Sequence, residues 1–123
     1  MNDIIDKLIP ALIQVESGGN PNAVGDNGEA VGILQIHKCV VDDVDSWHRP
    51  SMYGEGSRWS PESSISICIE YLSYYKHKYE VKTLKPATFE VLARIWNGGP
   101  NGWKKKSTKS YWLKVKAKLE KQK

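Results

Sequence analysis

Several things are scarce in this chain of 123 residues, and each scarcity excludes something. No run of about 18 apolar residues occurs, so no segment is expected to span a membrane. There are only two cysteines, Cys39 and Cys68. They form no CxxC motif and cannot hold a metal by themselves. Buried free thiols are expected; a disulfide is the alternative for a protein working outside the cell, and closing that loop would add about 3–4 kcal/mol. The three histidines, His37, His48 and His77, form no i, i+4 pair or Cys/His cluster, so no metal site is expected. No calcium loop of the EF-hand type closes after Asn22 or Asp26. The opening Met1-Asn2-Asp3 is acidic and leads into an amphipathic pattern, so it does not read as a secretory leader. The expectation is that the chain is made in a cytoplasm and released by another route, or that a leader or larger parent is missing.

What is present points to one domain over residues 1–123 with one core. A single Phe stands against five Trp and six Tyr. Trp and Tyr combine an apolar body with a polar tip, which suits stacking on sugars or bases as well as core packing. Lys and Arg outnumber Asp and Glu, 18 to 14, for a net charge of +4. Much of the excess follows Trp103. That balance favours approach to polyanions (nucleic acid, anionic lipid or an anionic bacterial wall), and otherwise describes a solvated surface.

Periodicity gives a mainly helical chain. Ile4, Ile5, Leu8, Ile9, Leu12 and Val15 recur at helical spacing, with Asn2 or Asp3 as N-cap. Pro10 predicts a kink or break near Ile9, and Gly18-Gly19 a stop. The turn signal Gly25-Asp26-Asn27-Gly28 allows a short β-hairpin around Ala23 to Val31. A second helical stretch is expected to begin at Gly32–Gln35 and to end before Arg49-Pro50. After a loop of Ser, Gly and Pro containing Tyr53 and Trp59, Ser60-Pro61-Glu62 starts a helix. This should be the longest, running to about Tyr79 through the centre of the domain, with Ile65, Cys68, Ile69, Leu72 and Tyr79 as its stripe. Thr88 caps a short helix ended by Asn97-Gly98-Gly99-Pro100. Thr108 or Ser110 starts the last, with Tyr111/Trp112, Val115 and Leu119 inward and lysines outward.

One carboxylate stands out. Glu16 falls in the last turn of the first helix, where the helix dipole disfavours negative charge and raises the pKa; apolar neighbours act in the same direction. A glycosidase acid needs this, because it must hold a proton near neutral pH to deliver it to the glycosidic oxygen. Position alone is equally that of an ordinary surface residue.

Taken together, ALIQVESGGNPNAVGDNGEAVGILQI, ARIWNGG and STKSYWLKV resemble the soluble lytic transglycosylase family and its relative, goose-type lysozyme. The resemblance covers most of the chain. It implies a mainly α, lysozyme-like fold with five to seven helices and at most one short β-hairpin. It implies cleavage of the β-1,4 bond between N-acetylmuramic acid and N-acetylglucosamine in peptidoglycan. Glu16-Ser17 is similar to the family's catalytic Glu-Ser pair, Gly32-Ile33-Leu34-Gln35 to its Gly-Leu-Met-Gln turn, and Ile95-Trp96-Asn97 to its Ala-Tyr-Asn. Tyr111 is similar to the tyrosine that bonds the catalytic carboxylate. Glu16 would be acid and then base. In the transglycosylase route the acetamido group assists and the sugar's own 6-hydroxyl closes a 1,6-anhydro ring; in the lysozyme route water attacks.

The lysozyme route requires a second carboxylate, roughly 6.5–9.5 Å from the first. Asp26 resembles one goose-type Asp. His37 stands where the second would be, a departure that weakens the hydrolytic reading, and Glu29 is the substitute. Ser17, Gln35, Trp96, Asn97 and Tyr111 are the expected substrate-binding residues. The first four also have a plainer role: local cap for Ser17, backbone satisfaction for Gln35, packing for Trp96, helix end for Asn97. Tyr53 and Trp59 could line the cleft. No cofactor is expected. Peptidoglycan strands are the expected partner of a monomer acting at the wall, without nucleic acid or membrane insertion. Two other functions stay open: a non-catalytic peptidoglycan or chitin-oligomer binding module, and a nucleic-acid binder using Lys104-Lys105-Lys106.

Overall fold

A computed structural model describes residues 3–122, apart from the side chains of Asp3 and Glu55. The elements in order are helix α1 (Asp3–Glu16), strands β1 (Val24–Gly25) and β2 (Ala30–Val31), and helices α2 (Lys38–Asp45), α3 (Pro61–Thr83), α4 (Phe89–Gly98) and α5 (Lys109–Lys121). Short 3-10 turns lie at Asp26–Gly28, Glu55–Trp59, Gly102–Lys104 and Lys106–Thr108. The mainly α expectation and the hairpin both hold. No helix among the described residues is long and apolar enough to cross a membrane. The chain forms two compact units, one of Met1–Val15 with Leu72–Lys123 and the other of Glu16–Tyr71.

In the first unit, Ile5, Leu8, Ile9, Ala11 and Leu12 of α1 are buried. The helix continues through Pro10, so the expected break does not occur. The reason lies in exposure. Pro10 removes the donor that would serve the carbonyl of Asp6, and both residues face solvent, where water can satisfy that oxygen. Of the proposed N-caps, Asn2 lies outside the described residues, and Asp3 is the first helical residue. In α4, the Thr88 hydroxyl accepts the backbone N–H of Val91 at 3.2 Å, a standard helix start. The helix closes at Gly99, whose φ of 89° suits glycine. Leu92, Ala93 and Ile95 are buried in α4 and Val115 in α5. Arg94 is buried with them, and its charge is placed by three partners: Thr108 Oγ1 at 2.8 Å, Glu90 at 2.7 Å and the Lys105 carbonyl at 2.7 Å. Thr108 occupies the N-cap position of α5 without capping it, because its hydroxyl bonds Arg94 and the Gly102 carbonyl.

In the second unit, β1 and β2 pair antiparallel with Val24 opposite Val31. Gly32–Gln35 does not open a helix. Gly32 (φ 82°) and Gln35 (φ 50°) are left-handed, Gln35 N–H bonds the Gly32 carbonyl, and Val31 bridges to Ile36. The segment is a tight turn that doubles the chain back, and α2 starts only at Lys38. α3 starts as expected, with Ser60 Oγ accepting Ser63 N–H at 3.2 Å, and it runs past Tyr79 to Thr83. Its buried stripe over the first turns is Ser64, Ile67, Cys68, Tyr71 and Leu72. Ile65 and Ile69 are only half-buried, and so is Tyr79 farther along. The stripe is rotated from the expected one because Ser64 satisfies its hydroxyl on the Arg58 carbonyl at 2.9 Å, which lets a polar residue occupy an inward position. Both cysteines are free thiols, but Cys39 is exposed, correcting the expectation that both are buried. It lies in the first turn of α2, whose inward positions are taken by Val41 and Val44.

Candidate functional site

Glu16 is the last residue of α1, and the chain leaves it through Ser17 into two left-handed glycines, Gly18 and Gly19. Ser17 does two jobs. Its hydroxyl donates to the Ile33 carbonyl at 2.8 Å and accepts the Gly19 N–H at 3.1 Å. The first bond ties the end of the Glu16 helix to the Gly32–Gln35 turn; the second caps the chain reversal. Glu16 is half-buried. Its negative charge reaches the Cys68 thiol, which burial first, and Glu16 second, push well above its usual pKa. The carboxylate therefore stands at the end of α1 within electrostatic reach of the buried face of α3.

The Gly32–Gln35 turn is built around close approaches. A Cβ at Gly32 would run into the Arg58 carbonyl, and its φ is left-handed as well, so glycine is required there. Gln35 turns its side chain across the hairpin. Its Nε2 donates to the carbonyls of Ala23 at 3.1 Å and Gly32 at 3.0 Å, and its Oε1 fills the space where Gly25 has no side chain. The nitrogen end of Gln35 thus satisfies backbone carbonyls, which leaves its oxygen as the end able to accept from a ligand.

Asp26 and His37 are brought together. Asp26 opens the 3-10 turn of the hairpin and His37 immediately precedes α2, and their Oδ2 and Nε2 atoms lie 2.9 Å apart. Glu29, the substitute second carboxylate, is exposed between the turn and β2.

Two features of this unit carried no sequence signal. Arg58 sits in what reads as an irregular Ser/Gly loop, yet it is buried, and its Nη1 donates to the carbonyls of Glu29 and Ile36 at 2.9 Å each. It clamps the hairpin from behind. The second is a polar cluster on α3: Glu70 holds His48 Nε2 at 2.7 Å and accepts the Tyr53 hydroxyl at 2.9 Å, while Asp45 accepts the Tyr53 N–H at 2.7 Å. Burial, and then the bond to Glu70, raise the Tyr53 pKa. Tyr53 is therefore committed to α3, whereas Trp59 is exposed.

The remaining site residues lie in the first unit. Trp96 and Asn97 are in the last turn of α4, Trp96 half-buried and Asn97 exposed. Tyr111 is half-buried in the first turn of α5, which packs against α4. Among the described residues, no group of three His, Cys, Asp or Glu side chains is arranged to hold a metal ion.

Comparison with known proteins shows the family and the fold of the chain. The chain is 39% identical over 74 residues to an endo-type membrane-bound lytic murein transglycosylase A of Citrobacter koseri, covering 58% of this chain and 36% of that protein. The protein of the same name from Salmonella enteritidis is 41% identical over 69 residues, 54% of this chain and 33% of that one. The match thus spans about a third of the length of these relatives. A chain in the crystal structure of Aeromonas hydrophila PliI in complex with Meretrix lusoria lysozyme superposes with a TM-score of 0.71 at 27% identity, over 90% of this chain and 87% of that one. The family model described as the transglycosylase SLT domain matches residues 1–118. The chain belongs to the transglycosylase SLT domain family.

Proposed function

We propose that this chain cuts the glycan strands of peptidoglycan at the β-1,4 bond between N-acetylmuramic acid and N-acetylglucosamine, with Glu16 as the general acid. The observation that carries the reading is the bond from Ser17 Oγ to the Ile33 carbonyl. It holds the Glu16 end of α1 against the turn that presents Gln35. A half-buried carboxylate on a rigid helix end, beside an amide oxygen able to accept from an N-acetyl group, can deliver a proton to a glycosidic oxygen and then retrieve one. Family membership supports the same reading. Trp96, Asn97 and Tyr111 are proposed as substrate-binding residues. The setting is the cell wall, reached by whatever route delivers the chain there.

The attacking group in this reading is the sugar's own 6-hydroxyl; its support is the similarity to proteins named lytic murein transglycosylase. One observation favours a second reading, hydrolysis. Asp26, paired with His37, is a carboxylate in the same unit as Glu16 and could accept a proton from water.

The test is the clearing of bacterial walls, followed as turbidity, by the wild-type chain and Glu16→Gln. Loss of clearing in a variant with an unchanged circular dichroism spectrum is expected. Equal clearing by both would overturn the assignment of Glu16. Binding of chitooligosaccharides without clearing by either would identify a binding module. Mass spectrometry of the fragments then separates the two chemistries: anhydro ends are lighter by one water than hydrolysed ends.

A further inference from the structure

A second site lies wholly within the first unit. A cavity of about 460 Å³ opens beside the C-terminal half of α3, lined by Tyr75, Lys78, Tyr79, Lys82, Asn101 and Trp103. None of the residues assigned to glycan cleavage lines it. The first four of those residues are spaced i, i+3, i+4, i+7, so one helix face supplies two rings and two ammonium groups in register. The opposite wall is the 3-10 turn Gly102–Lys104, and it is held firmly. Gly102 is buried where a Cβ would strike the Arg94 carbonyl, and its own carbonyl accepts the Thr108 hydroxyl at 2.7 Å. Trp103 is fixed in turn by an edge-to-face contact with Tyr79, ring centroids 5.0 Å apart at 83°. Lys104, outside the lining, holds its Nζ 5.7 Å from the centre of the Trp103 ring.

The charge of this cavity is of one sign. Among the described residues, no acidic side chain lines it. The nearest acid in sequence, Glu80, is turned to Lys76 at 3.2 Å and to the Ala87 N–H at 2.8 Å. Neither Lys78 nor Lys82 is in an ion pair among the described residues; Lys78 instead sits 5.3 Å above the Tyr74 ring. A fixed tryptophan and tyrosine beside unpaired ammonium groups, with an amide at Asn101, match a ligand with apolar ring faces, hydroxyls and an anionic group. Membership of a transglycosylase family favours a glycan over a nucleic acid as the bearer of that charge.

We propose that this cavity is an accessory binding site for an acidic glycan, a sugar chain carrying carboxylates or phosphodiesters. Its sugar face packs on Trp103 and Tyr79, and its anionic group lies between Lys78 and Lys82. The site does not depend on Glu16 as the acid, and it would tether the chain to an anionic polymer whether or not that polymer is cut.

The experiment is calorimetric titration of the full chain carrying Glu16→Gln, so that no probe is consumed. The probes are an oligomer of sialic acid for the carboxylate, a glycosylated glycerol-phosphate polymer for the phosphodiester, chitotetraose as the neutral control, and an oligonucleotide of equal charge. Binding of at least one acidic glycan is expected, weakening with added salt. It should fall about tenfold in Lys78→Gln/Lys82→Gln, the loss expected for two solvent-exposed charge contacts. Chitotetraose binding should not change. The two substitutions are on exposed side chains and leave the packing intact; Trp103→Phe, which retains a ring against Tyr79, should also weaken the acidic glycans. Unchanged acidic-glycan affinity in the double variant, no binding of either acidic glycan, or tighter binding of the oligonucleotide would each overturn the proposal.

Discussion

Asp26 Oδ2, in the turn between β1 and β2, and His37 Nε2, just before α2, lie 2.9 Å apart. The Asp26 side chain is 69% exposed, so the pair adds little to stability. Its effect is to fix the direction of a carboxylate otherwise free to rotate. If Asp26 accepts a proton from water, Asp26→Asn should lower the yield of reducing ends by about 100-fold, the low end for loss of a general base. His37→Gln should lower it less, since His37 acts through Asp26. Fragment mass spectra read both. A fragment pattern unchanged in Asp26→Asn would remove Asp26 from the chemistry.

Gly32 and Arg58 meet where the turn crosses the clamp. Gly32→Ala would need both a left-handed alanine and displacement of the Arg58 carbonyl. We expect a loss of about 2–4 kcal/mol in urea unfolding, within the range for backbone strain and core clashes. Arg58→Met should be comparable, because it strips hydrogen bonds from the Glu29 and Ile36 carbonyls. Gly28→Ala, with a left-handed φ but nothing within contact of a new Cβ, should cost less than Gly32→Ala; equal costs would show that the close approach is unimportant.

Acid should loosen the join between α3 and α4 first. The Ala87 N–H holds the Glu80 carboxyl below its usual pKa, assisted by Lys76. A carboxyl with a depressed folded pKa stabilises the fold above its unfolded pKa, and that contribution is lost as pH falls through the folded value. Glu80→Gln should therefore lower the Tm at pH 7, and the gap to wild type should close below about pH 4. A gap that does not narrow at all as the pH falls from 7 into the acid range would assign the effect to packing.

The two thiols should differ sharply in reactivity. Cys39 is exposed, whereas Cys68 is fully buried with its pKa raised by burial and then by Glu16. One thiol per chain should react with an aromatic disulfide reagent under native conditions, and the second only in denaturant. Cys39→Ser should abolish the fast reaction. Two fast thiols would contradict the burial of Cys68.

Alkali provides a further check on the second unit. Burial, then Asp43 and Cys39, push the Tyr71 phenol up to about 12. The unfolded tyrosine ionises near 10, so the unfolded state loses its proton first and stability falls between pH 10 and 12. Tyr71→Phe should flatten that fall, as measured by urea unfolding at pH 9 and pH 11.

How much of this was legible follows from how local each determinant is. The starts at Ser60 and Thr88 and the stops at Gly18-Gly19 and Gly99 each depend on a residue and its neighbours within one turn, and all were readable. Gly32–Gln35 was misread as helical because its apolar residues suit a helix. The left-handed Gln35 is sustained by bonds to Ala23, a residue on the far side of the hairpin. Pro10 was read as a kink or a break, and a break stayed open because the exposure of the Asp6 carbonyl is not a property of the local sequence. The rotation of the α3 stripe has the same origin: Ser64 turns inward only because the Arg58 carbonyl is there to receive it.

By itself the sequence determined the helical character of the chain, most element boundaries, the family and the position of Glu16 at a helix end. These rest on propensity, capping and motif, which act within a few residues. Tertiary structure alone decided that Ser17 straps α1 to the Gln35 turn, that Asp26 pairs with His37, that Arg58 is a buried clamp, and that Tyr79 and Trp103 frame a basic cavity. Each joins groups distant along the chain, and a buried polar group takes whichever partner the completed fold brings within hydrogen-bond reach.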